Sequence, residues 1–277
     1  MTTGDIVSNY DASMLHVLRW GHSGPAVIMV HGGAQGGGSG GERNFDPQRP
    51  LSEAGWRMIL PDRPGHGQSP NPGRPDDADL DGALIADMIT QDTHLVGHSF
   101  GGCVALVAAA THPERIKSLT LIEPGMMKFA VSDPNVKRLV FQLMLASVLP
   151  SSPLKRAMRF MTLLGIPPEM RRLRDPEELK RMGANVKRGK LPTKADLTQQ
   201  LAVIRQAQIP LLVVTGGWSP AFEATGDMVA VAGGGSRAVI ETGHHFPQLN
   251  AGEFNPILTD FLRASEAQWN ARADTVV

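Results

Sequence analysis

Between Leu95 and Cys103 the chain reads L-V-G-H-S-F-G-G-C, an apolar strand end that runs into glycines around one serine. Glycine weakens strands and helices alike, so Gly97 and Gly101, two residues either side of Ser99, carry a backbone cost that a plain strand-to-helix connection avoids. What is gained is a tight turn that holds the Ser99 hydroxyl exposed above the sheet. The helix expected over Ser99–Thr111 starts there, so its free N–H groups and positive dipole end face developing negative charge. A serine hydroxyl is a poor nucleophile until a base takes its proton, and an acyl-transfer transition state needs donors aimed at its oxyanion. The rest of the chain must supply both.

The elements that position this serine are legible as alternating patterns. Short apolar runs predict strands at Met14–Trp20, Ala26–Val30, Arg57–Leu60, Thr93–Val96 and Ile116–Ile122. Helical patterns fall between them at about Pro47–Ala54, Asp81–Thr90 and Ser99–Thr111. This order, with runs such as A-V-I-M-V that are apolar throughout, predicts an α/β fold, a mostly parallel sheet with helices on both faces. From Gly125 to Ala207 the pattern changes: no strand is evident, Leu and Met are frequent, and helical segments break at Pro150, Pro153, Pro167, Pro168 and Pro192. The sheet pattern then resumes with P-L-L-V-V-T, a helix near Ala221–Ala232, R-A-V-I and a last helix near Glu253–Ser265. One sheet domain (1–124 and 208–277) interrupted by a helical cap (125–207) accounts for this better than two domains in series.

Composition narrows the classes of partner. Lys+Arg and Asp+Glu both number 27 in 277 residues, so the formal net charge is zero and no basic face is implied. That argues against nucleic acid or a membrane as partner and leaves a small-molecule substrate. A 42% hydrophobic content suffices for a full core, and the single cysteine, Cys103, excludes an internal disulfide. The N-terminus lacks the basic and apolar regions of a signal peptide, and no run reaches the ~20 apolar residues of a membrane span. A cytoplasmic protein is the expectation, with its oligomeric state open.

G-H-S-F-G, together with V-H-G-G at Val30–Gly33, D-R-P-G-H-G-Q-S at Asp62–Ser69 and G-H-H-F-P-Q near the end, resembles the α/β-hydrolase superfamily in order and spacing. The resemblance covers the sheet portions and not the segment between them. It implies Ser99 as nucleophile and an oxyanion hole made by the N–H groups of Phe100 and Gly33. It also implies that His31 and His66 are structural and that Asp62–Ser69 braces the serine turn. The base should follow the last strand, where two histidines stand. Counting from Ile240 selects His245, with Phe246 as the aromatic that follows; counting from the Gly-His pair selects His244. The first count matches both flanks, so His245 is preferred and His244 is expected on the pocket wall.

The acid departs from the family's common pattern. Most members carry Asp after strand seven, but here the segment is T-G-G-W-S-P and Ser219 stands in that place. Some branches use strand six, where this chain reads L-T-L-I-E-P, which selects Glu123. Glu223 and Asp227 are weaker candidates, more simply read as first-turn acids of the following helix. The resemblance thus implies a serine hydrolase, carboxylesterase-like, acting on a small, largely apolar ester, thioester, lactone or related carbonyl compound. A lyase or acyltransferase of the same fold, or a receptor that keeps the triad, are the alternatives.

Other chemistries fit less well, and no cofactor or metal is expected. G-G-G-S-G-G at Gly36–Gly41 contains G-x-G-x-x-G, but a dinucleotide site needs a helix at its last glycine, and Pro47 and Pro50 are expected to obstruct one. G-K-S/T is absent, and the nine histidines are scattered. The glycine run is expected as a flexible loop beside the oxyanion hole.

Overall fold

The computed structural model describes residues 10–275 apart from Gly37, Ser39 and Leu173. Seven strands form one sheet: β1 (Val17–Trp20), β2 (Ala26–Val30), β3 (Arg57–Pro61), β4 (Thr93–His98), β5 (Ile116–Ile122), β6 (Leu211–Thr215) and β7 (Ser236–Val239). Their order is β1-β3-β2-β4-β5-β6-β7, with β1 antiparallel to β3 and all other pairs parallel. The helices are α1 (Gly41–Phe45), α2 (Pro50–Glu53), α3 (Ala78–Asp87), α4 (Phe100–Thr111), α5 (Pro134–Val148), α6 (Pro153–Leu163), α7 (Pro168–Arg172), α8 (Pro176–Asn185), α9 (Lys194–Gln206), α10 (Pro220–Gly233) and α11 (Ala251–Thr275). Among the described residues no helix is long and apolar enough to cross a membrane.

The period-2 alternation of side chains along each strand builds two cores. Ile28, Val30, Leu95, Leu119 and Leu121 face one layer, with α3, α4, α9 and α10. Val27, Met29, Val96 and Ile122 face the other, with α1, α2 and α11. Both faces are covered, which is why all five residues of β2 are buried. Each such Val, Ile or Met contributes about 1.5–3 kcal/mol by leaving water.

Between β5 and β6 the chain forms a further helical layer. Its α5 packs on Ala221 and Phe222 of α10, and α6 packs on α8. The helix α9, expected inside the inserted segment, belongs elsewhere. Its apolar stripe of Leu197, Leu201 and Ile204 enters the main core beside α4 and α10. A reciprocal cap between Thr193 and Asp196 starts it there.

Several boundaries move for local reasons. β1 begins at Val17, not Met14, because Ala12–Met14 is a 3-10 turn in which the Ser13 N–H donates to Asp11 Oδ1 at 2.8 Å. The helix expected from Asp81 begins at Ala78, where Asp77 accepts from the Asp79 and Leu80 N–H groups. The expectation that prolines exclude a helix after Gly40 is corrected, since α1 occupies Gly41–Phe45. Pro47 and Pro50 sit in the first turns of the 3-10 helix Asp46–Gln48 and of α2, where a missing N–H loses no hydrogen bond. The last helix is longer than expected and carries Pro256 inside it.

Candidate active site

In a parallel sheet the loops after the strands gather at one edge, and the site is built from residues following β2, β4, β5, β6 and β7. After β4 the chain turns at Ser99, whose φ of 55° and ψ of −120° lie outside the regions that side chains favour. The strain is held by hydrogen bonds: Ser99 N–H donates to Ile122 O at 2.8 Å, and Ser99 O accepts from the Gly102 and Gly125 N–H groups, both at 3.0 Å. Space dictates the glycines. A Cβ on Gly97 would stand 2.7 Å from Gly102 Cα, and one on Gly101 would stand 2.8 Å from the His31 carbonyl carbon, with carbonyl oxygens closer still.

Glu123 follows β5 in a second left-handed conformation, φ 45°. Its carboxylate is fully buried, and donors on both oxygens compensate that burial. Oε1 accepts from Gly216 N–H at 2.6 Å; Oε2 accepts from Trp218 Nε1–H and from His245 Nδ1–H, both at 3.0 Å. With Nδ1–H committed to the carboxylate, His245 turns its Nε2 lone pair to the Ser99 hydroxyl at 2.9 Å. The structure thus brings Ser99, His245 and Glu123 into one hydrogen-bonded chain.

The other candidates lie elsewhere. Ser219 is the residue before α10 and makes no side-chain cap bond. Glu223 accepts from Thr215 Oγ1 at 2.6 Å and pairs with Arg237 at 2.7 Å, while Asp227 pairs with the same guanidinium at 2.9 Å. His244, expected as alternative base or pocket wall, makes no hydrogen bond to Ser99 among the described residues. Its Nδ1 accepts from Phe246 N–H at 3.1 Å, and its chain neighbours His245 and Phe246 line the cavity instead.

Phe100 and Gly33 border the space beside Ser99, and among the described residues neither N–H meets a hydrogen-bond acceptor. His31 fixes this segment, donating from Nδ1–H to Gly32 O at 2.8 Å and accepting the Arg63 N–H on Nε2 at 2.9 Å. Burial first, then the charges of His66 and Arg63, hold its pKa well below the usual value, so it stays neutral. The fully buried Arg63 donates to the carbonyls of His31 and Gly33, pairs with Asp76 and Asp81 at 2.9 Å each, and lies 4.5 Å over the Phe100 ring. The loop Asp62–Ser69 therefore braces the oxyanion segment more directly than Ser99 itself. Asp62 also accepts the Gly41 N–H at 2.7 Å, so a carboxylate already occupies the start of α1, where a pyrophosphate would have to sit.

A cavity opens from Ser99 and His245 toward the inserted layer, whose Phe160, Met161, Leu164 and Met182 form its far wall. Arg43 and Arg174 lie in the same lining. Burial lowers the Arg174 pKa, and the nearby Arg43 charge pushes the same way. The inserted layer also touches the histidine loop, where His245 N–H donates to Gly165 O at 3.4 Å.

Sequence reasoning missed three features. Trp218 sits in the very segment searched for an aspartate, one residue before Ser219, and its indole N–H was the signal. His98 and Asn44 support the base: Asn44 Nδ2–H donates to His98 Nδ1 at 3.2 Å, and His98 Nε2–H donates to His245 O at 2.9 Å. Burial, then the His245 charge, keeps His98 neutral in this role. Finally, residues 125–207 hold 16 Lys/Arg against 6 Asp/Glu, a local excess that the neutral total conceals.

A family model described as alpha/beta hydrolase fold matches residues 25–146. A 2-hydroxy-6-oxo-6-phenylhexa-2,4-dienoate hydrolase of Comamonas testosteroni is 37% identical over 127 residues, 43% of each chain. A 2-hydroxy-6-oxononadienedioate/2-hydroxy-6-oxononatrienedioate hydrolase of the same organism is 40% identical over 108 residues, 37% of each chain. The chain thus matches less than half the length of these relatives. Among solved structures, the meta-cleavage product hydrolase CumD of Pseudomonas fluorescens IP01 superposes with a TM-score of 0.68 at 17% identity, over 90% of this chain and 94% of that one. A hydrolase of Pseudomonas aeruginosa PA01 gives 0.64 at 20% identity, over 90% and 94%. Motif order, sheet topology, the turn at Ser99 and these likenesses agree that this chain is a protein of the α/β-hydrolase fold.

Proposed function

We propose that the chain is a serine hydrolase whose substrate joins an apolar body to a carboxylate and is cleaved beside a ketone carbonyl. The observation that carries this reading is the chain Ser99–His245–Glu123 opening onto a cavity with both an apolar wall and two guanidinium groups. An oxo-dienoate has that shape: a carboxylate for Arg43 and Arg174, and an apolar remainder for Phe160, Leu164 and Met182. The relatives named for such hydrolyses support this choice over the carboxylesterase-like expectation.

In this mechanism Ser99 Oγ attacks the carbonyl carbon while His245 Nε2 takes its proton. Glu123 orients the ring and stabilises the imidazolium. The N–H groups of Phe100 and Gly33 receive the oxyanion. For a dienoate, the 2-hydroxyl proton first passes to the carbon beside the ketone, giving the 2-oxo tautomer; collapse then breaks the bond between that carbon and the former ketone. The departing carbanion, delocalised through the adjacent alkene onto the 2-oxo group, takes the proton from His245. Water, deprotonated by His245, then releases the acyl group from Ser99.

The test compares purified enzyme on 2-hydroxy-6-oxo-6-phenylhexa-2,4-dienoate, followed by loss of its dienolate absorbance, with p-nitrophenyl butyrate and an acyl lactone. A kcat/KM at least 100-fold higher for the dienoate (roughly 2.7 kcal/mol of transition-state preference) is expected. The reverse ranking would return the chain to the esterases.

A further inference from the structure

Five of the nine large apolar side chains exposed among the described residues lie in one segment, Val131–Leu149, and four belong to α5 or its end: Phe141 (55% exposed), Met144, Val148 (67%) and Leu149. Lys137, Phe141, Met144 and Val148 are spaced four, three and four residues apart, so they form one stripe along the helix. Its opposite side is spent on the packing of Val136 and Leu139 against α10. Monomeric surfaces scatter exposed apolar residues singly; a stripe of this kind marks something that covers it.

Charge says what covers it. Lys137 and Arg138 share a shallow surface with Phe141 and Met144, and the neighbouring α6 exposes Lys155 and Arg159. None of these four cations meets a carboxylate within 4.0 Å among the described residues. The acid of α5, Asp133, is engaged by the Asn135 and Val136 N–H groups. The whole stretch 125–207 carries its excess of 16 cationic over 6 acidic residues while the rest of the chain is acidic by the same margin. A second copy of this face would bring like charge against like charge. We propose that α5 is an interfacial helix that docks the inserted layer on an anionic lipid surface, its stripe entering the acyl boundary and Lys137, Arg138, Lys155 and Arg159 meeting headgroups.

The test is sedimentation of the full chain with vesicles of phosphatidylcholine alone or with about one third phosphatidylglycerol, a readout independent of any reaction. Binding is expected only to the anionic vesicles, falling steeply with added salt. Phe141→Ser/Met144→Ser, a polar change without added charge, removes it. Lys137→Glu/Arg138→Glu weakens it by more than about tenfold. Circular dichroism identical to that of the unmodified protein certifies both variants as folded; where one unfolds, Val148→Ser takes its place. No binding to anionic vesicles, equal binding to neutral ones, or binding that both folded variants retain overturns the proposal. So does retention on immobilised polyglutamate without vesicle binding, which assigns the face to an acidic protein. A dimer that the Ser variant dissociates, again without vesicle binding, assigns it to a second copy and equally overturns it.

Discussion

Glu123 Oε2 and His245 Nδ1, 122 residues apart in the chain, meet at 3.0 Å beneath the side chain of Ser99. The carboxylate leaves the end of β5, and the loop after the neighbouring strand β6 supplies donors to it in place of an acid. Gly216 N–H and Trp218 Nε1–H both point at Glu123, so the usual acid's position has become a support for the unusual one.

Replacing Glu123 with Gln tests this arrangement. One amide orientation sets its NH2 against Trp218 and His245 and drives the ring to the tautomer that carries hydrogen on Nε2; the other opposes Gly216 N–H. Both remove the charge that stabilises the imidazolium. Turnover is expected to fall on the order of 10³–10⁴-fold, in kcat more than in KM. Glu223→Gln and Asp227→Asn, tied to Arg237, should stay near the unmodified rate. A large loss in either control with an active Glu123→Gln would move the acid to α10.

Ser99 separates activity from stability. Ser99→Ala should keep the fold and lose turnover by several powers of ten, leaving only what the oxyanion donors and binding supply. Ser99→Gly should be equally inactive yet melt at or above the Ala variant. A backbone at φ 55° and ψ −120° strains any side chain by about 1–3 kcal/mol, more than the ~0.5–1 kcal/mol entropic penalty of glycine. By contrast Gly101→Ala, which places a Cβ against the carbonyls of Val30 and His31, should lower the melting temperature markedly. Thermal melts of the three variants decide the order.

Legibility followed how local each signal is. β2 was readable to the residue because a strand covered on both faces is apolar throughout, and β5 because Ile116, Leu119, Leu121 and Ile122 carry the apolar pattern past Lys117, Ser118 and Thr120. Ser99 was readable because its glycines answer to steric contacts within a few residues and with β2. Glu123 was readable only by elimination, since nothing local says that a strand-end glutamate faces a histidine 122 residues away. Asn44 and His98 were illegible for the same reason: their partners are distant and their residue types are ordinary. α1 was missed because proline was read as a helix breaker where it begins the next turn. The basic character of the inserted layer was lost in a sum over the whole chain, which reports nothing about where the charges sit.

A second buried cluster makes stability depend on pH. His94 Nδ1 accepts from Ser118 Oγ at 2.7 Å, and its Nε2–H donates to Glu266 on α11 at 2.8 Å, where Lys117 also pairs at 2.8 Å. The His94 bond pulls the Glu266 pKa down to about 2, with Lys117 adding to it, while burial lowers that of His94. Both folded values lie below their unfolded ones, so each group stabilises the fold above its unfolded pKa and loses that contribution as pH falls. His94 acts first, below about pH 6.5, and Glu266 below about pH 4.3. Chemical denaturation at a series of pH values should show a shallower acid slope for Glu266→Gln than for the unmodified protein; equal slopes would remove the cluster from the acid response.

The cavity's two-sided wall sets the last expectation, which concerns selectivity. If the guanidinium of Arg174 meets a substrate carboxylate, Arg174→Gln should raise KM for an oxo-dienoate, on the order of the 1.5–3 kcal/mol of a hydrogen bond to a charged group. The same change should leave an uncharged p-nitrophenyl ester almost untouched, because that substrate has nothing for the arginine to hold. The apolar wall should respond in the opposite sense. Leu164→Ala removes side-chain volume from the cavity wall, so longer or aromatic remainders should gain relative to short ones by about 1–3 kcal/mol per methylene accommodated. Steady-state kinetics on a matrix of acid against neutral and short against long substrates separates the two effects. Loss of kcat on every substrate in Arg174→Gln would instead make that residue a support of the fold around Met182 and α8, and would take the carboxylate out of the proposed substrate.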